Sequence, residues 1–334
     1  LNMNRNPHIK GLIEKLWPKQ YGAPELSIHI EGNIPRASGL GSSAALFVAT
    51  AAALRMARGR WVSKTDGTQQ QYWLEGFGST IANSEPYDNS PGFFAKESQD
   101  ERYHITGKNS VDSDECAILA HGVEAAVQQG RASPMDSSTC SHGGIIIISD
   151  VIEQGIDYLY QRTLAMKDAT RQWHIHEMSP PSDSDDVYLV IGNTGVHAPT
   201  GKQVAKVAEM LQQDPSRMKE IDTIGQIARR GIKALKEGDF ATVGRTMTEN
   251  QLMLSSIGVS SPELDNLIKA ASPSSLGAKL TGAGGGGCMV ALTRNPKETS
   301  DAIELAGGRT LISRLGSSGL SVDGSQNTII WTKT

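Results

Sequence analysis

Apolar and polar positions follow helical and strand periods in the first part of the chain. Residues 8–16 place apolar side chains at helical spacing, and Pro18 ends this pattern. The segment "ELSIHIEGNI" alternates apolar with polar positions, which predicts a half-buried strand. The alanine-rich segment "AALFVATAAALRMA" contains neither glycine nor proline, so we expect a closely packed helix there.

A long polar stretch then interrupts this order. Residues 58–112 lack the apolar positions of a core, which predicts a surface excursion rather than a domain. Helical spacing returns at "SDECAILAHGVEAAVQQG". Ser113 or Asp114 is placed to cap the start of this helix, and Gly130 follows its end.

The rest of the chain mixes helices with strands. The segment "GGIIIISD" predicts a buried strand, "IDYLYQRTLAM" predicts a helix, and "VYLVIGNTG" predicts a second apolar strand. Beyond them we expect five helices, at 201–213, 220–238, 239–258, 261–271 and 296–308, and four strands, at 276–281, 288–293, 309–315 and 327–333. This order predicts an α+β protein with an N-terminal domain over 1–182 and a C-terminal domain over 183–334.

Composition and charge narrow the class of protein. The chain has 334 residues, and its 32 Lys and Arg against 36 Asp and Glu give a formal net charge of −4. It shows no basic stripe, which argues against nucleic-acid binding, and no apolar run approaches the roughly 20 residues that span a membrane. Three widely spaced cysteines form neither a disulfide framework nor a zinc site, so we expect a cytoplasmic protein. Because the chain begins with Leu1 rather than methionine, we expect that a piece precedes it.

Two glycine-rich segments are candidates for ligand binding. In "GLGSSAA", between a predicted strand and a predicted helix, Gly39 and Gly41 would let the backbone approach a phosphate at a helix N-terminus. A plain turn with a serine cap is the alternative. In "KLTGAGGGGC" five of the six residues 282–287 are glycine, so a ligand or another backbone is expected to pass close by, and a flexible linker is the alternative.

A pair of carboxylates forms the third candidate. Glu124 lies on a predicted helix and Asp136 on the predicted loop after it, ahead of a predicted buried strand. Two carboxylates can divide into a metal ligand and a general base. Each of them alone is better explained as a solvated surface group.

Together these segments resemble the galactokinase, homoserine kinase, mevalonate kinase and phosphomevalonate kinase superfamily. "PRASGLGSSAA" is similar to its second motif and "KLTGAGGGGC" to its third. Within the superfamily the chain most resembles the mevalonate kinases, through "VEAAVQQGRASPMDSSTCSHGG", "GNTGVHAPTGKQVAKV" and "NQLMLSSIGVSSPELDNLI". The resemblance extends over residues 24–55 and 113–325.

The resemblance implies a fold and a reaction. The fold would join an N-terminal α/β domain containing a left-handed crossover to a C-terminal ferredoxin-like domain. The reaction would transfer the γ-phosphoryl group of ATP to the 5-hydroxyl of mevalonate. Mevalonate and ATP would be the ligands, with neither nucleic acid nor a membrane involved, and a homodimer is compatible with the family although no apolar patch in the sequence decides it.

The same resemblance assigns roles to residues. Asp136 would take or orient the hydroxyl proton, and Ser43 with Glu124 would hold Mg²⁺. Contacts to ATP would come from Pro35, Ser38, Gly39, Leu40, Gly41, Ser42, Ser43, Ala44, Gly284 and Gly285. Contacts to the substrate would come from Thr194, Thr281, Gly282 and Ala283.

The chain also departs from the family pattern. The family's first motif, a strand that carries a lysine, does not occur among the 34 residues before Pro35. The spacing from Glu124 to Asp136 is one residue longer than the family pattern, and the excursion at 58–112 is longer too. A sibling kinase acting on phosphomevalonate or homoserine, or a catalytically silent relative that binds nucleotide or metabolite, therefore stays open.

Two further segments have ordinary explanations. "LGSSG" near the C-terminus is expected to be a hairpin turn between short strands. "RQWHIHEM" has two histidines that a strand would place on one face, but no third ligand is near them in the sequence, so metal binding is not expected.

Overall fold

The computed structural model describes residues 6–17, 25–32, 34, 40–63, 102–105, 107–130, 132–165, 169–197 and 200–322, with the side chains of 60–63 and 102–105 left out. Most of the predicted excursion and the strand predicted at 327–333 therefore lie outside the described residues. The helices are α1 (Pro7–Leu16), α2 (Ser42–Arg58), α3 (Ser113–Val127), α4 (Met135–His142), α5 (Thr200–Gln213), α6 (Met218–Lys236), α7 (Phe240–Ser256), α8 (Pro262–Ala271) and α9 (Pro296–Leu305). The strands are β1 (Arg60–Ser63), β2 (Arg102–Ile105), β3 (Ile145–Ser149), β4 (Asp157–Ala165), β5 (Thr170–Met178), β6 (Tyr188–Asn193), β7 (Gly277–Leu280), β8 (Cys288–Thr293) and β9 (Arg309–Arg314).

Most sequence predictions of helices are confirmed. Helices α1, α2, α3 and α5 to α9 lie where the helical spacing indicated. The cap of α3 differs, because the side chain of Asp112, rather than that of Ser113 or Asp114, accepts a hydrogen bond from the Glu115 amide at 2.9 Å.

Three predictions of element type are wrong. The segment around Asp136, predicted as a loop, is helix α4. The segment predicted as a helix at "IDYLYQRTLAM" is strand β4, whose residues Tyr160, Arg162 and Leu164 are buried alternately. A buried arginine hides this period of two, because a charged residue counts as polar in the sequence pattern. Residues 25–32, predicted as a strand, form none and are mostly exposed. Alternation produces a strand only where a neighbouring strand supplies hydrogen bonds.

The first of two compact units contains the described residues up to 32, residues 43–178 and residues 318–322. One core joins α1, α2 and α3 through buried apolar residues that include Leu12, Phe47, Ala51 and Leu119. A second cluster packs α3 against the sheet β3–β5–β4. Every strand pair in the described part is antiparallel, so the left-handed crossover stays a prediction.

The second unit contains residues 34, 40–42 and 179–317 among those described. Its four-stranded antiparallel sheet has the order β7–β8–β6–β9. Helices α5 to α8 lie between β6 and β7 in the chain, and α9 lies between β8 and β9. This is the β-α-β-β-α-β arrangement of a ferredoxin-like domain, as the family resemblance implied.

The turn expected at "LGSSG" is present, and the strand expected to follow it lies outside the described residues. A turn at Leu315 and Gly316 follows β9, and Ser318 then forms an isolated antiparallel bridge with Gly143 at the end of α4. No helix in the described part of the chain is long and apolar enough to cross a membrane.

Candidate active site

The turn between α3 and α4 brings two carboxylates together. Helix α3 ends in a left-handed turn, in which Gln129 and Gly130 have φ values of 54° and 80° and the Gly130 amide donates to the Ala125 carbonyl. Helix α4 then packs against α3. As a result Glu124, in the last turn of α3, lies close enough to Asp136, in the first turn of α4, for their charges to interact.

Both carboxylates of this pair have raised pKa values. Burial, and next the charge of Asp136, raise the pKa of Glu124 to about 7, although a hydrogen bond from Gln128 at 3.0 Å opposes the shift. Partial withdrawal from water also raises the pKa of the Asp136 carboxyl, while the residue as a whole stays exposed. Among the described side chains no lysine or arginine pairs with either carboxylate. A bound cation would relieve this repulsion.

Burial, and next the charges of the two carboxylates, keep the thiol of Cys140 protonated. Cys140 lies one turn after Asp136 on α4, and burial together with the charges of Asp136 and Glu124 raises its pKa to about 11. A thiol at this pKa is almost entirely protonated at neutral pH and is a weak nucleophile. The chemistry of this site is therefore carboxylate chemistry.

A buried histidine supports the segment between the two carboxylates. His121, one turn before Glu124, accepts a hydrogen bond at Nδ1 from Arg162 Nε at 2.9 Å. Its Nε2 must then carry the proton, and it lies 3.2 Å from the carbonyl oxygen of Ala132, four residues before Asp136. Nothing in the sequence indicates this role of Arg162, because the pattern predicts a helix where Arg162 lies in strand β4.

The lowered pKa of His121 leads to a prediction of how the free energy of unfolding depends on pH. Burial, and next the charge of Arg162, lower the pKa of His121 from 6.5 to about 3. Below pH 6.5 the unfolded chain binds a proton here that the folded chain refuses, so stability falls as pH falls, by up to about 1.4 kcal/mol per pH unit for this one proton. Urea unfolding between about pH 4 and 6.5 should give a flatter slope for His121→Gln. His29→Gln, which removes an imidazole that is 84% exposed, should leave the slope unchanged, and equal slopes for both variants would contradict the assignment.

The start of α2 is the second place to which the resemblance assigned ligand contacts. Leu40 and Gly41, with a φ of 65° at the glycine, lead into the helix, which begins at Ser42. Ser43 is exposed, whereas the side chain of Ala44 is in the core, so Ala44 offers only its backbone. The first amides of a helix have no partner within it and suit an anion. Pro35, Ser38 and Gly39 lie outside the described residues.

The glycine-rich loop, Thr281–Cys288, is tightly held by its own unit. The Thr281 amide donates to the Cys288 carbonyl, which closes the loop, and glycines 282, 284, 285, 286 and 287 all have positive φ. A Cβ on Gly284 would lie 2.0 Å from the Val259 carbonyl oxygen. The prediction that another backbone passes close by is therefore confirmed, and a flexible linker is excluded.

The segment that contains Thr194 forms the other support of this loop. The amide and the hydroxyl of Thr194 both donate to the Gly287 carbonyl, at 2.9 and 2.8 Å, and the Gly287 amide donates to Val196. The amides of Gly282, Ala283 and Gly284 form no hydrogen bond with any residue that the structure describes. Three successive amides of this kind can form an anion-binding concavity.

The structure thus groups the predicted site residues in two sets. Glu124 and Asp136 meet in the first unit, and Thr194 meets the glycine-rich loop in the second unit.

His174 and His176 share a face of β5. In the described part of the chain no group of three or more His, Cys, Asp or Glu residues could hold a metal.

Comparisons with known proteins find GHMP kinase domains in both halves of the chain. The family model for the N-terminal domain of GHMP kinases matches residues 7–83, and the model for the C-terminal domain matches residues 232–308. The chain is 31% identical over 221 residues to a mevalonate kinase of Pyrococcus furiosus, covering 64% of this chain and 58% of that one. It is 30% identical over 273 residues to a mevalonate kinase of Methanothermobacter thermautotrophicus, covering 81% and 65%. The chain thus spans about three fifths of the length of these relatives.

A solved structure extends the likeness of the fold along almost the whole chain. The mevalonate kinase of Methanococcus jannaschii superposes with a TM-score of 0.56 at 23% identity, covering 95% of this chain and 78% of that one. The two family models match in the order that the resemblance implied, and the ferredoxin-like topology of the second unit is consistent with them. Models of both the N-terminal and the C-terminal domain of GHMP kinases thus match this chain.

Proposed function

We propose that this protein transfers the γ-phosphoryl group of ATP to the 5-hydroxyl group of mevalonate. The observation that carries the proposal is the pair Glu124 and Asp136, two carboxylates with raised pKa values and no cationic partner among the described side chains. The similarity to mevalonate kinases at 30 to 31% identity supports the choice of substrate.

Asp136 fits the role of the group that orients the attacking hydroxyl. It is exposed, so a substrate can reach it, and its raised pKa makes it a better proton acceptor than an ordinary aspartate. In phosphoryl transfer the enzyme mainly positions the groups and stabilises charge, so orientation of the hydroxyl is the larger part of this role.

Glu124 and Ser43 fit the ligands of a magnesium ion. Mg²⁺ prefers oxygen ligands and is usually held by one or two carboxylates together with substrate phosphates, and Glu124 lacks a compensating charge in the described structure. When bound, the ion would neutralise the charge that develops on the phosphates. The amides at the start of α2, with Gly41, Ser42 and Ser43, would contact the phosphate oxygens.

The glycine-rich loop fits a second contact to the substrates. The unpaired amides of Gly282, Ala283 and Gly284 would donate to anionic oxygen atoms of the phosphates or of the mevalonate carboxylate. Thr194 would support the glycine-rich loop rather than contact the substrate with its hydroxyl, because this hydroxyl already donates to the Gly287 carbonyl. The homodimer and the cytoplasmic location stay predictions from the sequence.

A coupled assay of ADP release tests the proposal. ADP should appear when the chain is mixed with ATP, Mg²⁺ and mevalonate, and omission of any one of them should abolish release. Parallel reactions with phosphomevalonate, homoserine and galactose identify a sibling activity. ADP release with one of these and not with mevalonate would reassign the substrate, and no release with any of them would contradict a kinase function.

A further inference from the structure

Helix α7 packs directly on the backbone of the strand that leads into the glycine-rich loop. Strand β7 is at the edge of its sheet, so its outward amides need partners from outside the sheet. A Cβ added to Gly277 of β7 would lie 1.9 Å from the carbonyl oxygen of Gly244 on α7. Glycine at both positions therefore permits backbone contact between the helix and the strand.

Gln251 repeats this contact two helical turns later on the same face of α7. It is only 7% exposed. Its Oε1 accepts a hydrogen bond from the Leu280 amide at 2.9 Å. Leu280 is the last residue of β7 and directly precedes the loop, so this bond fixes the point at which the loop begins.

The amide nitrogen of the same side chain reaches the other support of the loop. Gln251 Nε2 donates towards Ser260 Oγ at 3.1 Å and Asp265 Oδ1 at 3.3 Å, besides Ser255 Oγ of its own helix at 3.2 Å. Ser260 Oγ also donates to Asp265 Oδ1 at 2.6 Å. Ser260 follows Val259, whose carbonyl accepts the Gly285 amide at 2.7 Å. The Gln251 side chain therefore connects Leu280, at the start of the loop, with the 259–260 segment, which accepts the Gly285 amide from the middle of the loop.

We propose that Gln251 is a positioning residue for the glycine-rich loop. Its carboxamide holds Leu280 and the 259–260 segment at one fixed separation. This separation determines how the amides of Gly282, Ala283 and Gly284, which have no partner among the described residues, are aligned. The effect on turnover rests on the proposed function, whereas the effect on loop rigidity does not. Both effects can be measured on the full chain.

The test exchanges the donor and the acceptor of one hydrogen bond. Gln251→Glu keeps the oxygen that faces Leu280 but replaces the donor with a second carboxylate beside Asp265. Gln251→Glu combined with Asp265→Asn restores a donor and acceptor pair with a single negative charge. Thr246→Val is the matched control, because Thr246 is 5% exposed on the same helix and its hydroxyl donates to Val243 rather than to any part of the loop.

Hydrogen exchange and kinetics are the readouts. In Gln251→Glu the hydrogen-bonded amides of Leu280, Thr281, Gly285 and Gly287 should exchange about tenfold faster, because opening of the loop becomes easier. The kcat for mevalonate should fall by about ten- to a hundredfold with a smaller change in the KM for ATP, since misplaced groups weaken the transition state most. The double variant should recover most of both losses, and Thr246→Val should match the unchanged protein in both.

Each outcome separates the two claims. Unchanged exchange at the amides of Leu280, Thr281, Gly285 and Gly287 in Gln251→Glu, or a double variant that recovers nothing, would overturn the positioning role. Altered exchange with full turnover in an active enzyme would overturn it as well. Faster exchange that the double variant reverses, in a chain that releases no ADP with any substrate, would support the positioning role while the proposed function fails.

Discussion

Asp136→Asn is expected to lower kcat for mevalonate phosphorylation by about 10²- to 10⁴-fold, the range for loss of a general base or of its orienting contact. Asparagine has nearly the same shape, and it removes the negative charge that raises the pKa of Glu124. The free energy of unfolding should therefore change by no more than about 0.5 kcal/mol. Coupled ADP release and urea unfolding measure the two quantities.

Asp157→Asn is the control for Asp136→Asn, since Asp157 is an exposed carboxylate at the start of β4 in the same unit. It should keep full activity. Undiminished turnover in Asp136→Asn would remove Asp136 from the mechanism. An equal loss in both variants would indicate a general effect of charge rather than a role in the reaction.

Arg55→Met is expected to produce the largest loss of stability, about 3–5 kcal/mol. The side chains of Arg55 and Glu115 are both fully buried and join α2 to α3. Arg55 Nη2 and Nε donate to Glu115 Oε1 at 2.6 and 3.1 Å, and Nη1 donates to the Gly59 carbonyl at 2.8 Å. Removing the guanidinium leaves the Glu115 carboxylate in the core without this counter-charge.

The double variant Arg55→Met with Glu115→Leu distinguishes the cause. Replacement of both charges by apolar groups of similar volume is often neutral, so most of the lost stability should return. Urea unfolding of the single and double variants gives the comparison. A double variant as unstable as Arg55→Met would show that cavities, and not the uncompensated charge, cause the loss.

The comparison of sequence with structure shows which elements the local pattern can determine. Helices such as α6 and α8 carry apolar residues at helical spacing, and this spacing is visible without knowledge of any neighbour. The pattern predicts a helix at β4 because the buried row of this strand includes the charged residue Arg162. The hydrogen-bond partner of Arg162, His121, is 41 residues away and is not visible in the local pattern. The pattern of residues 25–32 lacked a partner strand in the described structure, and alternation alone did not create one.

Some candidate site residues can likewise be located from the sequence, and others only from the tertiary structure. The glycine-rich loop was recognisable from its composition, since few other arrangements need so many residues with positive φ. Glu124 and Asp136 were not distinguishable from surface carboxylates until the turn at Gln129 and Gly130 placed them together. Gln251 gave no signal as a single residue, because its partners at Leu280, Ser260 and Asp265 are distant from it in sequence.

Most helices, the glycine-rich segments and the resemblance to a superfamily can be predicted from the sequence, because each of these rests on neighbouring residues or on the order of motifs. Tertiary structure alone decided which carboxylates meet, which imidazole stays neutral and which amide holds the loop. These properties depend on distance, burial and hydrogen-bond partners, which exist only after the chain has packed. For this protein the motifs locate the chemistry, and the packing around Glu124, Asp136 and Gln251 gives it its geometry.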